Sequence, residues 1–224
     1  MEPGVAIIQI DPKVPAGVFA DLLAEWRVPF RLVRPDCGDA LPTAAAVIIL
    51  GGRMGVHDEA AHPFLREVKA FMAQALADDI PLLGLCLGGQ LLAEVAGGLV
   101  SSNRCGQKGL ANIELTPAGA VDPLLAGLAA RFRAYQWHND SFTIPLSAVH
   151  LATSADCPGQ AFRLNRAWGL QFHPEVDRAI VGDWSVDFPE REALIEDFVA
   201  AEAEHRQLAR QLLDNFLRAA ELIA

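Results

Sequence analysis

The segment Gly84-Leu85-Cys86-Leu87-Gly88 of this 224-residue chain has the residue types and spacing of a nucleophile on a tight turn. The apolar run Ile80–Leu85 predicts a buried strand before the turn, and Gln90–Ala96 predicts a helix that ends at Gly97-Gly98. A cysteine there needs small neighbours because its backbone is strained, and the start of a helix favours the reactive thiolate. By itself, the segment is equally compatible with a buried structural cysteine in a glycine-rich turn.

A second candidate segment is Gln171-Phe172-His173-Pro174-Glu175. Side chains at positions i and i+2 of an extended segment point to the same face, so His173 and Glu175 should lie side by side. Pro174 between them should keep the backbone extended at a strand end. A carboxylate beside an imidazole fixes its tautomer and stabilises the imidazolium, as in a nucleophile–base–carboxylate triad. The alternative is a surface turn without chemistry.

Together with the order of the predicted strands, the two motifs resemble the class I, triad-type glutamine amidotransferases. In this sequence the histidine follows the cysteine by 87 residues, and the resemblance covers roughly residues 5–180. It implies that Cys86 is the nucleophile, His173 the general base and Glu175 the carboxylate that orients the base. Within the family, the chain is most similar to the stand-alone proteins that resemble the glutaminase part of GMP synthetase.

The same resemblance implies five substrate-binding residues, namely Gly52, Leu87, Gln90, Trp137 and His138. The backbone N–H groups of Gly52 and Leu87 would stabilise the developing oxyanion, and Gln90 would contact the glutamine side chain. The segment Trp137-His138-Asn139-Asp140 would line the glutamine pocket. His138 as an alternative base is the weaker interpretation, because Asp140 lies in a loop-like context.

Two positions depart from the patterns of the family. Arg53 follows Gly51-Gly52 where many members have proline, and Gly89 stands where synthetase-linked members often have histidine. Neither change touches the three implied catalytic residues, but both weaken assignment to a particular biosynthetic enzyme. Arg53, at the mouth of the predicted pocket, is a candidate contact for a substrate carboxylate.

Short apolar runs alternate with helical patterns in the first half of the chain, which predicts an α/β fold. We expect a flavodoxin-like, mostly parallel sheet with helices on both faces and a helical C-terminus, in a single amidotransferase-like domain over 1–224. Closely spaced strand candidates between about 99 and 173 predict a small antiparallel element or a hairpin-rich edge of the same domain. The predicted strands are Val5–Ile10, Phe30–Val33, Ala46–Leu50, Ile80–Leu85, Ala111–Leu115, Phe132–Tyr135, His150–Thr153, Ala161–Leu164 and Gly169–Phe172, and a helix is predicted over 63–77.

The composition sets further limits on function. Hydrophobic residues make up 52% of the chain and the net charge is −10, which favours a globular protein and argues against nucleic-acid binding. The sequence has no signal-peptide pattern and no run long enough for a membrane span, so we expect a cytoplasmic protein. Its four cysteines lack the spacing of a disulfide framework or zinc site, and its histidines lack ligand spacing. We therefore predict no metal and no cofactor.

The leading functional hypothesis is hydrolysis of the glutamine side-chain amide through a γ-glutamyl thioester on Cys86. The ammonia would go to an unknown acceptor on a separate synthase chain, since no phosphate-binding glycine loop or synthase-like segment is found in the sequence. A γ-glutamyl peptidase would use the same triad on another γ-glutamyl substrate. A third alternative is a non-catalytic regulatory module on the same fold.

Residues 182–204 carry eight carboxylates against the single base Arg191, and so hold most of the net charge of the chain. One interpretation is a solvated helix face that keeps the protein in solution. The other is a segment that covers the approach to the active site or docks a basic partner.

Overall fold

A computed structural model describes residues 2–223 of the chain, and its central feature is a nine-stranded mixed sheet. The strands are β1 (Glu2–Ile8), β2 (Phe30–Val33), β3 (Ala44–Ile49), β4 (Leu82–Leu85), β5 (Val100–Ser101), β6 (Gln107–Leu115), β7 (Arg131–His138), β8 (Ser141–Phe142), β9 (Val149–Thr153), β10 (Ala161–Leu164) and β11 (Ala167–Leu170). The α-helices are α1 (Gly17–Glu25), α2 (Phe64–Ala77), α3 (Leu87–Val95), α4 (Arg178–Trp184) and α5 (Arg191–Ala219).

The strand order of the large sheet is β2-β1-β3-β4-β11-β10-β9-β6-β7. The first five strands in this order are parallel, and the other four continue the sheet in antiparallel fashion. Strands β5 and β8 form a separate antiparallel pair. The prediction of a mostly parallel sheet is thus confirmed, and the middle of the chain supplies both an antiparallel edge and a small antiparallel element.

Of three hydrophobic cores in the described chain, the two largest lie on opposite faces of the sheet. Successive residues of a parallel strand alternate between them, so Ile7 belongs to the core under α1 and α5 while Ile8 belongs to the core under α2 and α3. This double burial explains why β1, β3 and β4 are nearly continuous apolar runs. Among residues 2–223, no helix is both long enough and apolar enough to cross a membrane.

Several predicted boundaries differ from the structure. β1 ends at Ile8 rather than at residue 10, and β11 ends at Leu170 rather than at Phe172. The pattern of the sequence did not define α1, a short helix of nine residues between β1 and β2. The acidic segment 182–204 is not one surface element, because it includes the end of α4, the following loop and the first half of α5.

The order of the parallel strands decides where the functional loops meet. β4 lies between β3 and β11, with Gly84 paired to Ile49 on one side and to Gly169 on the other. The three loops after the carboxyl ends of these strands begin at residues 50, 86 and 171. They therefore converge at one edge of the sheet, which is the usual position of a binding site in open α/β folds.

Candidate active site

Cys86 occupies a strained turn directly between β4 and α3, as the sequence predicts. Its φ is +49° and its ψ is −108°, a conformation that costs a non-glycine residue about 1–3 kcal/mol. A Cβ at Gly84 would lie 2.5 Å from the carbonyl oxygen of Gly88, and one at Gly88 would lie 2.2 Å from that of Ile49. The turn therefore needs glycine at both positions because backbone passes close to the cysteine on each side.

His173 and Glu175 form the expected pair, but not in the expected backbone conformation. Nδ1 of His173 lies 2.7 Å from Oε1 of Glu175, and both side chains are buried. The segment 171–175 is a bend and turn instead of an extended strand end. Pro174 has no N–H with which to continue a ladder, and the N–H of His173 donates to the carbonyl oxygen of Tyr135 at 2.8 Å. β11 ends at Leu170, and the N–H of Gln171 still donates to the carbonyl oxygen of Gln160 at 2.9 Å before the chain turns away.

The charges around His173 favour its protonated form. Burial alone would lower the pKa of this imidazole, but the negative charge of Glu175 and that of Cys86 as a thiolate together raise it to about 10. Nδ1 donates its proton to Glu175, and Nε2 has no hydrogen-bond partner among the described residues. The imidazole is held further by Trp184, whose ring packs edge-on against it at a centroid distance of 4.8 Å.

The loop after β3 packs between the cysteine and the histidine. A Cβ at Gly51 would lie 3.0 Å from Cε1 of His173 and 3.4 Å from Cβ of Cys86. Within residues 2–223, the N–H groups of Gly52 and Leu87 donate to no acceptor in the protein. They are therefore free to donate to a ligand beside Cys86.

Arg53 fixes this loop rather than standing free at the pocket mouth. Its Nε and Nη2 donate to the two carboxylate oxygens of Asp11 at 2.8 and 3.0 Å, and its backbone N–H donates to Asp11 at 3.0 Å. Burial would raise the pKa of Asp11, but the hydrogen bonds from Arg53 and Lys13 hold it below its usual value. The interpretation of Arg53 as a substrate contact is thus less favoured by the structure, because its guanidinium is already paired.

Gln90 contacts Gln171, a residue that the sequence patterns did not indicate. Nε2 of Gln90 donates to the carbonyl oxygen of Asp140 at 3.1 Å and to Oε1 of Gln171 at 3.3 Å. The amide of Gln171 in turn lies 3.8 Å from Sγ of Cys86. Gln171 precedes His173 by two residues, so the same-face spacing used for Glu175 could have indicated it.

Trp137 and His138, at the end of β7, approach the cysteine from the antiparallel part of the sheet. The carbonyl oxygen of Trp137 lies 3.9 Å from Sγ of Cys86. Nδ1 of His138 donates to the carbonyl oxygen of Asp140 at 2.9 Å, and burial lowers the pKa of His138 to about 4. A neutral, backbone-anchored imidazole fits the wall of a pocket better than a catalytic base.

These residues surround one cavity of about 720 Å³. Six of the eight catalytic and substrate-binding residues named from the sequence line it: Gly52, Cys86, Gln90, Trp137, His138 and His173. Glu175 and Leu87 do not line the cavity, and the side chains of both are buried. Asp183 and Asp187 of the acidic segment lie at its rim, so this segment adjoins the cavity. In the described part of the chain, no three His, Cys, Asp or Glu side chains are grouped as they would be to hold a metal ion.

The turn, the paired imidazole and the free N–H groups at the edge of a parallel sheet are typical of triad-type amide hydrolases. A family model described as glutamine amidotransferase class-I matches residues 20–182. This match covers well over half of the sequence, so the chain belongs to the class-I glutamine amidotransferase family.

Individual relatives agree with this family. A GMP synthase (glutamine-hydrolyzing) of Aeropyrum pernix is 36% identical over 197 residues, which are 81% of this chain and 36% of the relative. A protein of Methanococcoides burtonii, named as one subunit of a GMP synthase (glutamine-hydrolyzing), is 32% identical over 124 residues, 54% of this chain and 64% of the relative. The chain thus spans about a third of the first relative and less than two thirds of the second. A crystal structure of a glutamine amidotransferase from Thermotoga maritima superposes with a TM-score of 0.88 at 29% identity, covering 97% of both chains.

Proposed function

We propose that this protein hydrolyses the side-chain amide of glutamine through a γ-glutamyl thioester on Cys86, with His173 and Glu175 completing the triad. One observation carries the proposal. Cys86 sits on a strained turn in the same cavity as His173, and Glu175 is buried 2.7 Å from the far nitrogen of that histidine. Membership of the family and relatives whose names include glutamine hydrolysis support glutamine as the substrate.

In the first half of the proposed reaction, Sγ of Cys86 attacks the δ-carbon of glutamine. The amide oxygen takes up the negative charge, and the free N–H groups of Gly52 and Leu87 stabilise it. Each such donor contributes about 3 kcal/mol in enzymes where one has been removed. His173 then gives its proton to the amide nitrogen, ammonia leaves, and the γ-glutamyl group stays on the sulfur.

In the second half, His173 acts as the base for a water molecule that attacks the thioester. The tetrahedral intermediate uses the same two N–H donors and collapses to glutamate and the cysteine sulfur. Glu175 keeps the Nδ1 proton in place throughout, so that Nε2 always faces the reaction. Gln171 and Gln90 are held beside Cys86 by the hydrogen bond between their side-chain amides.

The direct test is ammonia release from L-glutamine by the purified chain, measured beside a panel of γ-glutamyl dipeptides. We expect ammonia and glutamate to form in equal amounts. A protein that turns over neither glutamine nor any γ-glutamyl amide would be the non-catalytic module instead. A covalent γ-glutamyl adduct on Cys86, trapped by acid and located by mass spectrometry, would establish the thioester.

We further propose that the ammonia is used by a synthase on a separate chain. The Methanococcoides relative is by its name one subunit of a synthase, which indicates that such a division between chains exists among related proteins. The exposed acidic residues of α5 provide a surface that a basic face of that synthase could contact. Docking of this kind would weaken as salt screens the charges.

A second candidate function, hydrolysis of larger γ-glutamyl amides, is favoured by the aromatic wall beside His173. Trp184 contacts the imidazole that would protonate the leaving nitrogen, so the leaving group would depart along this wall. Trp137 and Phe188 extend the wall, with ring centroids 4.8 Å apart. A cavity of about 720 Å³ is in the range that holds drug-sized ligands. Ammonia needs neither the aromatic surface nor the space.

Phe188→Ala separates the two substrate classes. If the wall binds a leaving group, this change should lower kcat/KM for a γ-glutamyl amide of an aromatic amine by roughly threefold to tenfold, the value of one aromatic contact. Turnover of glutamine should stay within twofold of the parent. Phe30→Ala is the matched control, because Phe30 is exposed to 38% against 37% for Phe188 but lies on the distant edge strand β2. Equal effects on both substrates would assign the wall to packing alone.

A further inference from the structure

Lys108 is a charged residue of the cavity wall that the proposed reaction does not use. It lies on β6 opposite Trp137 of β7, and its side chain passes over the Trp137 ring with Nζ 5.2 Å from the ring centroid. Nζ donates to the carbonyl oxygen of His138 at 3.2 Å and to Oδ1 of Asn139 at 2.8 Å. An ammonium group has three N–H donors, so one remains for a further acceptor.

Both acceptors of Lys108 are neutral. Among residues 2–223, no carboxylate forms an ion pair with Lys108, whereas the neighbouring cation Arg53 is paired with Asp11. Burial lowers the pKa of Lys108, and the charge of Cys86 partly offsets this effect. The Lys108 ammonium thus lines the cavity with only neutral partners among the described residues, which favours an anion that arrives from outside the protein.

Its position relative to Cys86 limits what that anion can be. The carbonyl oxygen of Trp137 lies 3.9 Å from Sγ of Cys86, and the next carbonyl along β7, that of His138, accepts from Nζ. A γ-glutamyl group attached to the sulfur carries its α-carboxylate roughly 6 Å away, at the far end of a short carbon chain. Lys108 and Cys86 line the same cavity, so the carboxylate of a γ-glutamyl group on the sulfur shares that cavity with Nζ.

We propose that Lys108 binds the α-carboxylate of the γ-glutamyl substrate and thereby selects substrates that have one. This inference rests on the proposed function, because it takes the substrate to be a γ-glutamyl compound. The remaining N–H of Nζ donates to the carboxylate, while His138 and Asn139 hold the ammonium against the Trp137 ring. The contact forms with substrate, thioester and product alike, so it should affect binding more than the chemical step.

The test compares each substrate with its counterpart that lacks the α-carboxylate. For the parent protein, kcat/KM should fall roughly 10- to 100-fold from L-glutamine to 4-aminobutanamide, as expected for loss of a charge-assisted hydrogen bond. Lys108→Gln, which can still donate to the His138 carbonyl, should lose most of this difference, mainly through a raised KM for glutamine. Lys108→Arg should restore part of it. Lys13→Met is the control, since Lys13 is an exposed lysine at the same cavity.

Product binding gives a second measurement that does not depend on turnover. L-Glutamate should raise the melting temperature of the parent more than 4-aminobutanoate does, and Lys108→Gln should remove this difference. The proposal is overturned if the Lys108→Gln protein is folded and keeps the parent's ratio between the paired compounds in both measurements. It is also overturned if the variant loses activity equally on both substrates, because Lys108 would then only brace β6 and β7. A parent that binds glutamate through Lys108 but hydrolyses nothing would refute the proposed function and leave this inference standing.

Discussion

Cys86→Ser should reduce the turnover of glutamine by roughly 10⁴-fold or more, the range found when a triad nucleophile is removed. A hydroxyl is a far poorer nucleophile than a thiolate in a site built around an imidazolium. The substitution keeps the size of the side chain, so the strained turn and the contact with Gln171 should persist. Ammonia release should fall to the buffer rate while the melting temperature and circular dichroism remain those of the parent.

The other three cysteines provide the controls. All four are free thiols, but Cys37 is exposed, Cys105 is half-buried and Cys157 is buried. Burial raises the pKa of Cys157 to about 12, which keeps that thiol protonated and inert at neutral pH. Neither Cys37 nor Cys105 lines the cavity that holds Cys86, so Cys37→Ser and Cys105→Ser should leave turnover unchanged.

Brief alkylation with iodoacetamide followed by peptide mapping tests the same point without a substrate. We expect Cys86 to be modified first despite its burial, because it alone lies beside an imidazolium at the start of a helix. Modification of Cys37 with Cys86 untouched would contradict an activated turn. Undiminished turnover by the Cys86→Ser protein would contradict the thioester mechanism.

The sequence predicts the parallel half of the fold and the position of Cys86 because both depend on local patterns. Apolar runs bounded by glycine or proline define β3 and β4, and the glycines around Cys86 reflect contacts with backbone only a few ångströms away. The pairing of His173 with Glu175 was predicted from a spacing of two residues. That pairing is confirmed, but the extended backbone assumed for it is wrong, since a turn after β11 brings the two side chains together as well.

Trp137 and His138 reach the site on the antiparallel strand β7 and were indicated by the family resemblance, but local patterns could not indicate Lys108. Lys108 is 22 positions from Cys86 in sequence and is brought to the cavity by the pairing of β6 with β7. Its neighbours in the chain give no periodicity that marks it, and a lone lysine on a strand is normally a solvated side chain. Arg53 illustrates the opposite case, since its partner Asp11 lies 42 positions earlier and only the fold shows that its charge is already paired.

Glu175→Gln should lower the turnover of glutamine by roughly 10⁴-fold, and His173→Ala by roughly 10⁶-fold, if the pair acts as carboxylate and base. The glutamine amide can present its N–H₂ to Nδ1, which would turn the imidazole to the wrong tautomer while the shape of the buried site is kept. Alanine removes the base itself. A larger loss for His173→Ala than for Glu175→Gln would therefore indicate that His173 acts on the substrate, whereas Glu175 acts through the imidazole.

A titration of His173 tests the role of Glu175, because a merely structural role for Glu175 would leave the pKa of His173 unchanged. In the parent, two negative charges hold the pKa of His173 at about 10, so the imidazole stays protonated through neutral pH. Glu175→Gln removes one of these charges from a buried site, and the pKa should move down, because an imidazolium loses its partner while the cost of burial remains. Histidine ring resonances followed by NMR against pH, with His173→Ala used for assignment, would show this shift. If the titration stays where it is in the parent while activity is lost, Glu175 supports only the fold of the 171–175 turn, and the triad would be reduced to Cys86 and His173.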